Sequence, residues 1–151
     1  MRGSVIGTVL SGILVILLLV VTPLYYIGII EWARAESEVM ADTRNLIDEV
    51  IDTRVLTDDM MADYNLSLAA KSNYYRATIT REVKVINPDP LNPGKTHTNY
   101  MVVDDISNWN KGDLITVKVE QVGTNYFRAI SRSMLGLDIQ LNEIQMTGRV
   151  R

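Results

Sequence analysis

The chain has 151 residues, 47% of them hydrophobic, with a net charge of −3, one histidine and no cysteine. The acidic balance leaves no basic footprint for nucleic acid, and the lack of cysteine rules out disulfides and thiolate metal sites. The apolar residues crowd the N-terminal end, so what lies beyond them suffices for one small domain and not for two independent cores.

Val5 to Ile30 carries no charge. At ~1.5 Å per residue this run reaches ~39 Å, more than the ~30 Å hydrocarbon core of a bilayer. Arg2 precedes it, while Glu31, Glu36 and Glu38 follow it with Arg34 as the one nearby base, which predicts a cytoplasmic N-terminus and an outward-facing remainder. Ala33-Arg34-Ala35 has the small-x-small form of a leader-peptidase site. The apolar run nevertheless exceeds the ~7–15 residues of a signal peptide core, so an uncleaved anchor is expected.

Small residues recur within the span at four-residue steps: Gly3, Gly7 and Ser11 form one row, and Ser4, Thr8 and Gly12 the next. Two adjacent rows make a flat strip on which a second helix backbone can approach closely. These six residues are the candidate assembly face. Pro23 removes one backbone hydrogen bond, so a kink is predicted near residues 19 to 23. Tyr25, Tyr26 and Trp32 flank the outer end, as aromatics do at a headgroup layer.

No Pro or Gly occurs from Glu31 to Leu56, and the apolar residues fall into helical steps at Trp32, Ala35, Val39, Leu46 and Val50, with Ile47 and Ile51 widening the stripe. The rod therefore continues as an amphipathic stalk with Trp32, Val39, Leu46, Ile47, Val50 and Ile51 as its packing residues. Spacing pairs Glu31 with Arg34 and Arg44 with Asp48. The acidic excess between Glu31 and Leu56 requires solvent or the basic groups of neighbours beside it.

Thr57 followed by Asp58 and Asp59 is a helix start, predicting a short helix over residues 58 to 70. Alternation from Tyr75 predicts a strand, NPDPLNPGK at 87–95 an exposed loop, and Tyr100 to Val103, Leu114 to Val122 and Asp138 to Val150 three further strands. Asn110-Lys111-Gly112 reads as a turn, and residues 126–136 fit no single pattern. The expected architecture is α+β, with residues 1–56 a membrane or filament-core helix and stalk, and 57–151 a head with a short helix and about four antiparallel strands.

The proline-interrupted apolar helix, amphipathic stalk and small antiparallel head resemble a type IV pilin. GIIEWARAE at 28–36 resembles the apolar-apolar-Glu-aromatic-small-Arg signature of TadE-like pseudopilins, and RGSV at 2–5 their opening. NKGDLITVKV at 110–119 and LGLDIQLNEIQMTGRV at 135–150 resemble the strand-loop-strand ending of that family. The resemblance covers both ends of the chain and implies a structural subunit held in the cytoplasmic membrane and then built into an extracellular filament. Its implied partners are copies of itself, the membrane before assembly, and assembly motor and platform proteins. One position departs from the pattern: pilin-like proteins carry a glutamate shortly after the processing point, and Thr8 stands there with no acid before Glu31. The subunit then docks without that ion pair, or it is not a standard member. Gly3 and Gly7 are both candidate positions before a cleavage point.

No catalytic residue, cofactor or metal site is expected. His97 stands in the Pro-rich region without identifiable partners, and no Gly-rich phosphate loop occurs. Asp104, Asp105, Asn108, Asn110 and Asp113 are oxygen donors around a turn, but not at EF-hand spacing. Asn65-Leu66-Ser67 forms a sequon inside a predicted helix, and Met60, Met61, Tyr74 and Tyr75 read as head-to-stalk core. Two other readings remain: a single-pass anchored binding or signalling domain that does not polymerise, and a secreted domain cleaved after Ala35.

Overall fold

A computed structural model describes residues 2–71, 75–123, 126–136 and 143–151, with the side chains of residues 2–4, 126, 127, 130, 134 and 135 left aside. Helix α1, Arg2–Thr53, runs 52 residues without interruption and passes through Pro23. At ~1.5 Å per residue it is ~78 Å long. It ends where Arg54 turns to φ 60, the left-handed conformation of a helix C-terminal cap, with the Arg54 amide still donating to the Val50 carbonyl at 2.8 Å. The sequence marks this stop with no glycine; the Arg54 guanidinium instead donates to the Arg151 carbonyl at 2.8 Å, tying the helix end to the end of the sheet.

Helix α2, Asp58–Ala69, starts at Thr57, whose side chain accepts from the Met60 amide. Asp58 and Asp59 lie in its first turn, where the helix dipole favours negative charge. Four strands follow: β1 Tyr75–Pro88, β2 Thr96–Val103, β3 Leu114–Gln121 and β4 Ile144–Arg149, with α3, Tyr126–Leu135, between β3 and β4. They form one antiparallel sheet in the order β2-β1-β3-β4, so the fold is α+β as the sequence predicts.

The sheet departs from a simple meander because β1 lies inside it, between β2 and β3. Its first part, Tyr75 to Glu82, pairs with β3, and its second part, Arg81 to Pro88, pairs with β2 on the other side. Two boundaries also differ from the sequence reading. Asn87 and Pro88 belong to β1 and β2 begins at Thr96, which shrinks the expected 87–95 loop to 89–95. Proline is tolerated there because it ends an edge-exposed stretch where no third strand needs its missing N–H. The 126–136 stretch is helical through Leu135, and the first part of the fourth predicted strand, 138–142, lies outside the described residues.

The core forms where the stalk half of α1 meets α2 and one face of the sheet. Val39, Leu46, Ile47 and Val50 are buried against Tyr64 and Leu68 of α2 and Ile115, Val117, Val119 and Ile144 of the sheet. Gly148 of β4 permits the closest approach, since a Cβ there would collide with Ile47 and lie 2.8 Å from Ile51 Cδ1. Burying each such aliphatic side chain stabilises the head by ~1.5–3 kcal/mol.

Candidate assembly surfaces

The N-terminal part of α1 is bare among the described residues from Val5 to Val20. Every side chain from Val5 to Val20 is exposed, and the apolar window of the helix has 0% of its residues buried. The helix is long and apolar enough to cross a membrane. Gly7, Thr8, Ser11 and Gly12 line one shallow concavity with Val15 and Ile16, and no atom lies within 4 Å of where a Cβ would stand at Gly7 or Gly12. These four candidates therefore share a face. Gly3 and Ser4 belong to α1, but their side chains lie outside the description.

The stalk begins where burial begins. Gly28 and then Ala35, Val39, Thr43, Leu46, Ile47 and Val50 are buried, while Trp32 and Ile51 are half-buried. Thr43 is the one polar residue in this stripe, and its Oγ1 donates to the Val39 carbonyl at 2.7 Å. Having given up its proton, that oxygen accepts from the Tyr64 hydroxyl at 2.7 Å, joining stalk to α2. Burial pushes the Tyr64 hydroxyl above its ordinary pKa, and the Asp42 charge adds to this against the Thr43 hydrogen bond.

A second stalk-to-α2 link is ionic. Lys71 lies 3.2 Å from Glu38 Oε2 and 3.1 Å from Asp42 Oδ2, Arg34 lies 3.0 Å from Glu38 Oε1, and Ser67 donates to Asp42. Hydrogen bonds from Arg34 and then Lys71 hold the Glu38 carboxyl below its ordinary range. Partial burial pulls the Lys71 ammonium down, but hydrogen bonds to Asp42 and Glu38 outweigh it and leave the group raised. Arg34 thus bridges towards the head at Glu38, a partner the sequence reading did not name. Ser67 of the sequon faces Asp42, with Asn65 exposed beside it.

The oxygen donors around 104–113 serve the head itself. Arg81 and Asp113, both buried, meet at 2.8 Å, and Asp113 also accepts from the Asn110 amide. The Arg81 guanidinium lies 5.7 Å from the Trp109 ring centroid and donates to the Asp105 carbonyl. Asp105 accepts from the Ser107 amide and hydroxyl, which hold its carboxyl below the ordinary value. Gly112, at φ 98, makes the turn that the sequence marks. Among the described residues, no group of three or more His, Cys, Asp or Glu could hold a metal ion. His97 is not in a loop but on β2, opposite Asn87 and exposed. Met60, Met61 and Tyr75 pack on the core, and Tyr74 lies outside the described residues.

Sequence reasoning missed the outer end of the β1–β2 hairpin, where Asn87 and Pro88 extend β1 and Thr96 to Asn99 extend β2. Comparisons with family models, with characterised proteins and with solved structures found no match.

Proposed function

We propose that the protein is a structural subunit of an extracellular filament of the type IV or Tad-like kind, anchored in the cytoplasmic membrane before assembly. The observation that carries this reading is the unbroken α1: one helix is bare and apolar in its first half and built into the head in its second. A bitopic receptor has no need of a helix that passes without a linker from span to fold. A filament does, because bundled spans must present their heads at a fixed height and angle.

Assembly exchanges lipid for neighbouring helices. Lipid tails are as apolar as those helices, so the exchange gains little hydrophobic free energy and close packing supplies the specificity. The open strip at Gly7, Thr8, Ser11 and Gly12 fits that need. No acid accompanies it, so packing replaces the buried ion pair of the usual pilin pattern, and with it a charge that would cost several kcal/mol if left unpartnered. Extraction from the membrane falls to a separate motor and platform.

Electron microscopy of material sheared from expressing cells, with intact mass on the same sample, tests the reading. Thin fibres whose subunit mass retains residues 5–30 are expected. Full-length protein confined to membranes, with no fibres, overturns the reading in favour of an anchored domain, and a mass lacking the apolar segment overturns it in favour of a secreted one. Replacing Gly7 and Gly12 together by Leu places two bulky side chains on the strip and is expected to abolish fibres while membrane insertion persists; normal fibres from that variant would remove the strip from the account.

A further inference from the structure

The β1–β2 hairpin outgrows the sheet. Beyond Glu82, β1 has lost β3 and pairs with β2 alone, so Val83 to Pro88 and Thr96 to Met101 form a two-stranded arm. Among the described elements β2 pairs with β1 only, with one further contact where the Arg149 guanidinium of β4 donates to the Tyr100 hydroxyl. The arm is nonetheless ordered at its tip: the Asp89 amide donates to the Lys95 carbonyl at 2.9 Å, and the Asp89 carboxylate accepts from the Leu91 amide and the Asn92 side chain.

Such a ribbon is marginal in water unless a surface covers it. Its composition is that of a covered element. Ile86 and Met101 are each 60% exposed, on opposite faces, and Val102 at the base of the arm is 62% exposed. β2, THTNYMVV, contains no charged residue and no proline, the devices that ordinarily keep a free edge from pairing.

Charge identifies what covers it. The arm carries Lys84 and Lys95, neither in an ion pair among the described residues, while its one acid, Asp89, is spent on the tip. Residues 31–71 hold ten acidic against four basic residues, whereas 75–151 hold ten basic against eight acidic. Exposed Asp48, Glu49, Asp52, Asp58, Asp59 and Asp63 make no ion pair among the described residues. Between α1 and α2 lies a groove whose floor is Leu46, Met60 and Tyr64 and whose remaining lining is polar and acidic, Asp42, Asn45, Glu49, Asp63 and Ser67. An uncharged strand flanked by lysines matches it. The chain's own arm does not sit there, since β2 reaches neither helix.

We propose that the β1–β2 arm of one copy docks in the α1–α2 groove of a second copy, with Lys84 and Lys95 against Glu49, Asp59 and Asp63. The contact joins different surfaces of the two copies, and a heterologous contact of this kind propagates into open arrays instead of closing a dimer. It rests on the filament reading and supplies a head-to-stalk contact in addition to the helix strip.

The chain has no cysteine, so introduced thiols are unique. Full-length Lys95→Cys and Asp63→Cys variants are co-expressed, and membranes and sheared fibres are treated with a short bis-maleimide. A cross-linked pair at twice the 17.0 kDa chain mass is expected from the mixture and from neither variant alone. Lys84→Glu with Lys95→Glu is expected to cut fibre yield roughly tenfold, and Asp59→Lys with Asp63→Lys to restore it. These four positions are exposed, so the folded head is retained.

Cross-linking of Lys95→Cys to itself, attachment to a protein of another mass, or wild-type fibre yield from the Lys84→Glu, Lys95→Glu variant overturns the proposal. Absence of fibres from the unaltered chain overturns the filament reading instead. In that case a mixed pair formed in membranes still upholds the arm contact, and its absence there overturns the contact too.

Discussion

The two halves of α1 share a backbone but not a source of stability. From Val5 to Val20 every side chain is exposed, whereas from Ala35 to Val50 a stripe is buried to between 0% and 6%. The outer half is held by its own head, through Val39, Thr43, Leu46, Ile47 and Val50. Among the described residues, burial from Val5 to Val20 contributes nothing to that stability. A single helix can therefore be correct in sequence at both ends while answering to two different solvents.

The strongest way to break the comparison is to damage one half alone. Val50→Asp places a carboxylate at a site with 0% exposure. A loss of about 4 kcal/mol or more is expected, enough to unfold the head, while the protein still pellets with membranes. Near-ultraviolet circular dichroism in detergent and membrane fractionation read the two halves separately. If the head survives, the stalk is not its core.

A smaller effect is expected at Gly148, where Ile47 and Ile51 occupy the space a side chain needs. Gly148→Ala is expected to cost about 1–3 kcal/mol by overpacking and to lower the melting temperature of the head. A Gly148→Ala, Ile51→Val double variant deletes the Ile51 Cδ1 that lies 2.8 Å from the new Cβ and should recover part of that loss, which distinguishes crowding from a general disturbance of β4.

The smallest effect sharpens the link between stalk and α2 through pH. The Glu38 carboxyl is lowered from its ordinary 4.5, so its contribution is present above that value and is lost as pH falls through the lower folded one. Lys71 is raised from 10.5, so its contribution is present below that value and is lost as pH rises through the higher folded one. Melting temperature should therefore respond to this cluster only at the acid and alkaline ends. Glu38→Gln should flatten part of the acid limb and leave the neutral plateau nearly unchanged, because solvent-screened ion pairs contribute little to stability.

Much of this molecule is legible in its sequence because the strongest signals are periodic or exclusive. The absence of Pro and Gly from Glu31 to Leu56 announces a continuing helix, and the spacing of Val39, Leu46 and Val50 announces its buried face. Thr57 marks the start of α2, and Gly112 marks a turn. The strand order is hidden because the alternation of β1 reports its faces but not its neighbours. Nothing in Tyr75 to Pro88 says that the partner changes near Arg81. Pro88 and the residues after it suggest a loop, since local composition carries no record of the tip that Asp89 closes. On the candidate surfaces, the small-residue row is visible as spacing, whereas the Arg81–Asp113 pair joins residues 32 apart and has no local signature.

The unbroken passage from span to stalk also fixes an angular phase. Each residue of an α-helix turns ~100° and advances ~1.5 Å, so the bearing of the Gly7 strip relative to the head is a count of the residues between them. One residue added between Ile30 and Val39 would swing the head by ~100° about the rod while raising it only ~1.5 Å, whereas seven would lift it ~10 Å and return it to within ~20° of its original bearing. The length of α1 is thus an address as well as a tether, written in residues and read as azimuth.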